Sequence, residues 1–351
     1  MIAFYAPLKA PTHEVPSGDR AMARGLMAAL TPLGRVTVAS DLRSLDLAGD
    51  AAVQARLKGA AEAEVARLVR ELPVETQLWV TYHNYYKAPD LIGPAVSAAR
   101  GIPYVQVEST RAKKRLTGAW AGFAAAAEAA SDAAAVIFYL TERDGETLAR
   151  DRAAGQRLVH LRPFLPRAEL PPASTLAEGA PMLAAGMMRA GDKMASYALI
   201  AELLGLLDGD WRLEIAGDGP ARAEVEALMA PFGERVRMLG QLGAPEMTDA
   251  YRRAGLFLWP GVNEAFGMVY LEAQAAGLPV VAQDRPGVQE VMAAVQPAVA
   301  SGAQGMAAAI VALRDAGLRR ERGMAARAFI ADRHLLGAAT ATLASALGVE
   351  A

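Results

Sequence analysis

The chain has 351 residues, 53% of them hydrophobic and 21% charged, which predicts a globular protein of about two domains. Its net charge of −2 excludes a general attraction to nucleic acid, and we expect no nucleic-acid partner. There is no cysteine and there are only four scattered histidines, so disulfides and thiolate chemistry are excluded and we expect no metal site.

The N-terminal sequence MIAFYAPLKAP enters directly into a strand-like run and lacks the charged and long apolar regions of a signal peptide. The longest apolar runs are strand-sized or interrupted by charge, so no transmembrane helix is predicted. We therefore expect a cytoplasmic protein, with peripheral contact at the inner face of the membrane left open.

The first half of the chain alternates short apolar strands with alanine-rich helical segments. The predicted strands are IAFYAPL, RVTVAS, LWVTYH, PYVQVES, AAVIFYL and RLVHLRPF. This alternation is typical of βαβ units and of an α/β fold with a parallel sheet covered by helices on both faces. The near-continuous apolar character of the strands agrees with a sheet that is buried on both sides.

A proline-rich segment, RPFLPRAELPPASTLAEGAP, interrupts the pattern and predicts an inter-domain linker. A second alternating series follows: PMLAAGMM, WRLEIAGDG, RVRMLGQL, LFLWPG, LPVVAQD and PAVAS, with helix from about residue 303. We predict two doubly wound domains that face each other across a ligand-binding cleft. The predicted division is an N-terminal domain at 1–165, a linker at 166–179, a second domain at 180–332 and a C-terminal helix at 333–351 that packs back towards the first domain.

The stretch NEAFGMVYLEAQAAGLPVV contains two glutamates, Glu264 and Glu272, in an apolar context. If the segment between them were fully helical, they would be roughly 12 Å apart, too far for a catalytic dyad. Amides of Phe266, Gly267 and Met268 at a helix start would form an anion site between two carboxylates that each accept hydroxyl hydrogen bonds. This layout suits a nucleotide-sugar. Helix capping by Glu264 and solvent exposure of Glu272 are the structural alternative.

The pattern E-A-F-G-x-V-x-L-E-A-x-A-x-G-x-P-V-V resembles the signature of retaining GT-B glycosyltransferases of the family-4 (group 1) type. The resemblance implies a GT-B fold of two Rossmann-like domains and a nucleoside-diphosphate sugar as donor substrate, with no cofactor. It implies that Glu272 binds the donor ribose. It also implies that Glu264 binds hydroxyls of the transferred sugar, and that the loop Ala265, Phe266, Gly267 and Met268 contacts sugar and phosphate.

The family also has a Gly-Arg pair and a later lysine on the diphosphate. In AAGMMRAGDKMAS, Met187 occupies the usual arginine position, so we assign Lys193 to the phosphate and Arg189 as a shifted substitute. Two cations there would offset charge on the leaving diphosphate; solvated surface residues are the alternative. In LGQL, Gln241 and Leu242 occupy the place of the family's base-contacting loop. The turn GDGP is better explained by backbone geometry than by a ligand.

In the first domain, Gly18 lies just before a helix that opens with Asp19. The family has a glycine loop at this position that approaches the donor phosphates, whereas we expect Asp19 to be a plain helix N-cap. His83 ends the strand LWVTYH, where this fold forms its sites, and the family often has a histidine there near the transferred sugar. A hydrogen-bonded structural histidine is the alternative.

The segment STRAKKRLTGAWAGF, residues 109–123, concentrates four cations before two aromatic residues. It is predicted either to hold an anionic acceptor or to touch a membrane surface peripherally, and a solvated loop is the alternative. Arg111 is the residue assigned to this contact.

No serine-hydrolase, P-loop or zincin motif is found in the sequence. We therefore expect a retaining, metal-independent hexosyltransferase that uses a UDP- or GDP-sugar and a saccharide, lipid-linked or small-molecule acceptor. Two alternatives remain open at this stage: a GT-B-fold nucleotide-sugar epimerase and a non-catalytic nucleotide-sugar-binding relative.

Overall fold

The computed structural model of the chain describes residues 1–14 and 17–349. The chain divides into two compact units, unit 1 being Met1–Arg162 with Leu336–Ala351, and unit 2 being Pro163–Leu335. Pro16, in the predicted glycine loop, and the last two residues of the predicted C-terminal helix lie outside the described residues. Each unit contains one parallel sheet flanked by helices, so the predicted α/β class is confirmed.

Unit 1 has a six-stranded sheet in the order β2-β1-β3-β4-β5-β6, with every neighbouring pair parallel. Its strands are β1 (Ile2–Tyr5), β2 (Val36–Ser40), β3 (Leu78–Asn84), β4 (Tyr104–Ser109), β5 (Val136–Tyr139) and β6 (Arg157–His160). All six coincide with the predicted apolar runs. The chain leaves β1 towards β2 and then crosses to β3, so the strand order reverses between β1 and β3.

The helices of unit 1 are α1 (Gly18–Leu30), α2 (Ala51–Glu71), α3 (Gly93–Arg100), α4 (Ala121–Ala133), α5 (Glu142–Arg150) and the last helix of the chain, α13 (Leu336–Leu347). Helix α2 begins where the Asp50 carboxylate accepts hydrogen bonds from the amides of Ala52 and Val53. Helix α13 packs on α1, and the Thr340 hydroxyl donates to the Ala29 carbonyl at 3.0 Å.

Unit 2 has a five-stranded parallel sheet in the order β11-β10-β7-β8-β9. Its strands are β7 (Met182–Ala185), β8 (Leu213–Ala216), β9 (Val236–Gly240), β10 (Leu256–Leu258) and β11 (Val280–Val281). The predicted strand PAVAS is wrong. Ala298 makes only one isolated bridge, to Asp284, and Val299–Ser301 form a 3₁₀ turn, because Pro297 offers no backbone donor to a ladder.

The helices of unit 2 are α6 (Asp192–Leu204), α7 (Arg222–Met229), α8 (Ala244–Arg253), α9 (Met268–Ala275), α10 (Pro286–Gln289), α11 (Gly302–Ala312) and α12 (Ala316–Arg333). Buried Trp259, Phe257 and Tyr270 anchor the core between the sheet and α9. The strand order reverses between β7 and β10, which places the switch point of unit 2 at the carboxyl ends of those two strands.

The proline-rich segment at 166–179 contains no helix or strand. It lies in unit 2 and is bonded to it: the Ser174 amide donates to the Ala276 carbonyl at 2.7 Å, and the Ser174 hydroxyl donates to the Ala254 carbonyl at 2.7 Å. Its predicted role as an inter-domain linker stays a prediction.

Candidate functional site

Lys193 and Glu264 meet at the switch point of unit 2. Lys193 is in the first turn of α6, which follows β7, and Glu264 is in the loop that follows the neighbouring strand β10. The Lys193 ammonium lies 2.6 Å from a Glu264 carboxylate oxygen, and both side chains are largely buried. The structure thus brings together two residues that are 71 positions apart in sequence.

Trp259 contacts both members of this ion pair. Its indole N–H donates to the same Glu264 oxygen at 3.3 Å, and the Lys193 ammonium lies 5.2 Å from its ring centroid. Tyr197 packs edge-on against Trp259, and its hydroxyl donates to the Gly186 carbonyl at 2.8 Å. Trp259, Tyr197 and Glu264 hold one another in place through these contacts. The Lys193–Glu264 pair therefore rests on a rigid aromatic support.

The loop between β10 and α9 is tied to the start of α6. The Asn263 side-chain amide donates to Asp192 at 2.8 Å, and the Val262 amide donates to the Ser196 hydroxyl at 3.1 Å. Asn263 adopts φ +50°, a left-handed conformation that asparagine tolerates better than most residues. These bonds hold Glu264 at a fixed position relative to Lys193.

Two glycines allow the backbone around Glu264 to pack this closely. Gly267 has φ +82° and is the N-cap of α9, and a Cβ atom there would lie 2.6 Å from the Tyr270 ring. Gly287 packs directly on the backbone carbonyls of Ala265 and Glu264, where any side chain would clash. A larger residue at either position would displace the loop.

The amides of Phe266, Gly267 and Met268 lie at the N-terminal end of α9, as predicted. None of the three has a hydrogen-bond acceptor in the described part of the protein. The predicted helix start near Gly267 is confirmed, so the fully helical spacing of roughly 12 Å between the two glutamates does not apply. Helix α9 begins only at Met268, and Glu264–Gly267 form a non-helical loop.

Glu272 lies in the second turn of α9 and accepts a hydrogen bond from another residue of unit 2. The Tyr251 hydroxyl, on α8, donates to a Glu272 carboxylate oxygen at 2.9 Å. Burial raises the pKa of Glu272, and the Tyr251 hydrogen bond and the Arg167 charge counteract this only in part. A second carboxylate oxygen remains able to accept hydrogen bonds from a ligand. Neither Tyr251 nor Trp259 was identified from the sequence.

Arg189 and Met187 are both exposed in the loop after β7, whereas Met188 between them is fully buried. Met187 exposes 51% of its surface. No acidic side chain of the described residues lies within ion-pair distance of Arg189. The assignment of Arg189 to a diphosphate stays a prediction.

Gln241 and Leu242 follow β9, the edge strand of the unit 2 sheet. Gln241 is exposed, and Leu242 packs partly against the core. The turn at Gly217–Gly219 is fixed by backbone bonds, including the Met188 amide to the Asp218 carbonyl at 2.9 Å. This agrees with the structural interpretation of the GDGP turn, while base contact by Gln241 and Leu242 stays a prediction.

In unit 1, His83 is part of a cluster of titratable groups. Its Nδ1 atom lies 3.3 Å from Asp19, in the first turn of α1, and 3.9 Å from Glu108, near the end of β4. Strands β3 and β4 are neighbours, with Tyr82 opposite Val107 and Asn84 opposite Ser109, so His83 and Glu108 occupy the same level of the sheet. Glu108 was not identified from the sequence.

The backbone of this cluster is strained. His83 and Glu108 have φ values of +66° and +56°, which non-glycine residues rarely adopt. Burial disfavours a charged His83, but the charges of Glu108, Asp19 and Asp144 together raise its pKa. Burial raises the pKa of Glu108, whereas the hydrogen bond to His83 lowers that of Asp19. The site therefore favours a protonated imidazole.

The expectation that Asp19 is a plain helix N-cap is wrong. Ser17, in an extended conformation, is the N-cap of α1, and its hydroxyl accepts from the Arg20 amide. Asp19 lies in the first turn of the helix and pairs with His83 instead. A Cβ atom at Gly18 would meet nothing within 4 Å, so an approach of Gly18 to donor phosphates stays a prediction.

Arg111 does not present its charge to solvent. Its side chain is 2% exposed, and its guanidinium binds Glu128 at 2.8 Å and Asp132 at 2.6 Å, both on α4. Burial opposes the charge, but the two carboxylates raise the pKa of Arg111. This geometry favours a structural role for Arg111, and the acceptor contact assigned to it stays a prediction.

Two further features are absent from the described residues: a cluster of metal ligands and a membrane-spanning helix. No group of three or more histidine, aspartate or glutamate side chains has an arrangement that could hold a metal ion. Over the same residues, no helix has both the length and the apolar character that crossing a bilayer requires.

Part of unit 2 is similar to a known sequence family. Residues 181–315 match the family model described as Glycosyl transferases group 1. A 2-deoxystreptamine glucosyltransferase of Streptomyces kanamyceticus is 33% identical over 165 residues, 42% of this chain and 42% of that protein. The gpi3 subunit of phosphatidylinositol N-acetylglucosaminyltransferase of Schizosaccharomyces pombe is 37% identical over 83 residues, 23% of this chain and 18% of that protein.

The sequence matches are therefore partial: the chain spans less than half the length of these curated relatives. The fold is shared more widely. The Anabaena protein Alr3699/HepE, solved in complex with UDP, has a TM-score of 0.73 at 15% identity, over 99% of both chains. The chain has the GT-B fold, and residues 181–315 of its second unit match the glycosyl transferases group 1 family model.

Proposed function

We propose that this protein is a glycosyltransferase that moves a sugar from a nucleoside-diphosphate sugar to a saccharide, lipid-linked or small-molecule acceptor. The observation that carries the proposal is the Lys193–Glu264 pair at the switch point of unit 2, beside the free amides at the start of α9. The match of residues 181–315 to the group 1 family supports it.

The donor would lie along the carboxyl edge of the unit 2 sheet. Lys193 and the amides of Phe266, Gly267 and Met268 would bind the diphosphate, because a cation and a helix N-terminus both attract oxyanions. Glu264 and the loop at Ala265 would bind hydroxyls of the transferred sugar, and Glu272 the ribose diol. UDP in the complex of Alr3699/HepE supports a nucleotide donor of this kind.

We propose that transfer occurs with retention and without a metal ion. The bond between the anomeric carbon and the diphosphate breaks while the acceptor oxygen bonds to the same face of that carbon. The acceptor proton passes to the leaving diphosphate, so no side-chain base is required. Lys193, with Arg189 reaching from the neighbouring loop, stabilises the developing charge on the diphosphate. Activity that survives exhaustive chelation would support the absence of a metal.

Unit 1 is proposed to bind the acceptor at its own switch point, where His83 lies. An imidazolium held by Asp19 and Glu108 would stabilise negative charge or donate hydrogen bonds to sugar hydroxyls. Peripheral contact with a membrane through residues 109–123 remains part of the proposal for a lipid-linked acceptor.

A donor panel tests the proposal directly. Purified protein is mixed with UDP-, GDP- and ADP-sugars, and thermal stability, nucleotide release and sugar identity are followed. We expect one nucleotide family to stabilise the protein, because a bound ligand shifts the unfolding equilibrium, and slow nucleotide release without acceptor. A rearranged sugar would indicate an epimerase. Binding without release, even with an acceptor library, would indicate a non-catalytic relative.

A further inference from the structure

A row of aromatic rings extends from His83 across unit 1. The His83 ring lies 5.0 Å from Tyr85, Tyr85 lies 5.7 Å from Tyr86, and Tyr86 lies 5.8 Å from Trp120, measured between centroids. All four side chains are partly exposed. The Trp120 indole N–H donates to the Asp46 carbonyl at 3.2 Å, which fixes the far end of the row. Ring faces of this kind bind the apolar C–H surfaces of sugars.

Two cations lie against the far end of this row. The Lys87 ammonium is 5.7 Å from the Tyr86 centroid and 5.5 Å from the Trp120 centroid. The Arg115 guanidinium is 5.1 Å and 5.7 Å from the same two rings. Two separate segments of the chain therefore direct positive charge to one pair of aromatic side chains.

The charges of Lys87 and Arg115 are not compensated within the protein. In the ranges 1–14 and 17–349, neither has a carboxylate within 4.0 Å, and the Nε atom of Arg115 is buried without a hydrogen-bond partner. Two other cations of the same segment are paired, Arg111 with Glu128 and Lys113 with Asp151 at 2.7 Å, whereas Lys114 is exposed to solvent.

Asp46, whose carbonyl accepts from Trp120, offers no compensation either. The Asp46 carboxylate accepts bonds from the Gln54 side chain and from the amides of Ala48 and Gly49. Only its backbone carbonyl faces Trp120. Since buried or half-buried charge is normally paired, two unpaired cations at one place indicate an anionic ligand.

We propose that Lys87 and Arg115 bind a phosphate group on the acceptor, whose sugar ring lies on Tyr86 and Tyr85 and points towards His83. The inference rests on the proposed function, which it deepens by assigning the acceptor to the class of phosphorylated sugars. The phosphate belongs either to a soluble sugar phosphate or to a lipid-linked sugar at a membrane surface; the recognition chemistry is the same in both.

Calorimetric titration of the full-length protein with glucose 6-phosphate and with glucose tests the phosphate contact. Flotation with vesicles of phosphatidylglycerol and phosphatidylcholine, and with vesicles of phosphatidylcholine alone, tests the lipid source. We expect the phosphate-bearing probe in at least one arm to bind and its neutral counterpart to bind at least about tenfold more weakly, the equivalent of one charge-assisted hydrogen bond.

The double variant Lys87→Gln/Arg115→Gln should lose this preference. Arg56→Gln is the matched control, because Arg56 is an exposed cation on α2 of the same unit, outside residues 109–123, and it should retain the preference. UDP binding is measured in parallel for all three proteins and should be unchanged, because every substituted residue lies in unit 1.

The outcomes separate the two levels of the proposal. If no UDP-, GDP- or ADP-sugar is bound or turned over, the proposed function fails, whatever glucose 6-phosphate does. If a nucleotide binds but neither phosphate-bearing probe is preferred over its neutral counterpart, the acceptor inference is overturned. Equal loss in Arg56→Gln and the double variant would also overturn it, since the effect would then be one of general surface charge.

Discussion

The switch points of the two units are built on the same plan but from different chemistry. In unit 2 the loops after β7 and β10 are rich in glycine, and a single cation and carboxylate, Lys193 and Glu264, neutralise each other. In unit 1 the ends of β3 and β4 carry His83 and Glu108 in left-handed conformations, with Asp19 and Asp144 acting on the same imidazole. One site is balanced in charge, and the other has more acids than bases.

The difference indicates how each site would respond to a ligand. A neutral pair can exchange partners when a diphosphate and sugar hydroxyls arrive, so the switch point of unit 2 needs no protonation change. The His83 cluster instead has a protonation state set by its neighbours, which makes pH a natural variable for unit 1. We therefore expect the two sites to respond differently to substitution and to pH.

Removal of the charge pair in unit 2 should have the largest effect on transfer. Lys193→Ala and Glu264→Gln are each expected to lower the rate of sugar transfer by about a hundredfold to a thousandfold, because each removes preorganised stabilisation of the reacting groups. Initial rates at saturating donor, with the melting temperature measured in parallel, provide the test.

Arg237→Ala is the control for these two variants, because Arg237 is an exposed cation of the same unit and its side chain is 74% accessible. It should keep nearly the wild-type rate. A Lys193→Ala enzyme with wild-type turnover would remove Lys193 from the mechanism and leave Arg189 as the cation to test.

The sequence predicted the site of unit 2 much better than that of unit 1, for a physical reason. Glu264, Gly267 and Glu272 lie in one continuous segment, so their relation is set by local backbone geometry. The partners of His83 come from α1, β4 and α5: strand pairing brings Glu108 to it, and helix packing brings Asp19 and Asp144. The positive φ values of His83 and Glu108 also could not be predicted, because neither residue is a glycine, the residue type that usually indicates such a conformation.

The eleven strands were predictable because each is a short apolar run between helical segments. The prediction of a strand at PAVAS was wrong because an apolar run does not show whether a neighbouring strand is available to pair with it. The assignment of Arg111 to an acceptor stays a prediction for a related reason: the sequence displays its charge beside other cations but not the two acids on α4 that bind it. Long-range pairing is the information that a linear pattern lacks.

Arg111→Ala should reduce stability and so sharpen the distinction between structural and ligand-binding cations in unit 1. Loss of the guanidinium leaves the Glu128 carboxylate, which is only 13% exposed, without its cation. We expect the free energy of unfolding to fall by about 3 kcal/mol, the typical cost of breaking a buried pair. Denaturant unfolding measures it, with Lys114→Ala as a control expected within about 0.5 kcal/mol of wild type. A loss no larger than that of the control would contradict the structural role.

Glu272→Gln should weaken donor binding by about tenfold while transfer at saturating donor stays close to wild type, because a carboxylate accepts two hydroxyl bonds better than an amide. Tyr251→Phe removes only the hydroxyl that orients Glu272 and should cost less. Titration with UDP compares the two variants with wild type. Equal affinities in all three proteins would show that the ribose lies elsewhere and would weaken the assignment of unit 2 as the donor site.

The smallest effect concerns the protonation of His83. Because the folded-state pKa of His83 is raised above its unfolded value of about 6.5, its contribution to stability is present below that value and is lost as pH rises through the folded-state pKa. Proton NMR of the imidazole, assigned with His83→Gln, should give a pKa above about 6.5 that falls in Glu108→Gln and in Asp19→Asn. Glu62→Gln, an exposed position on α2, should leave it unchanged. A His83 pKa that is insensitive to both partners would remove the contrast between the two switch points, because unit 1 would then hold an ordinary strand-end histidine.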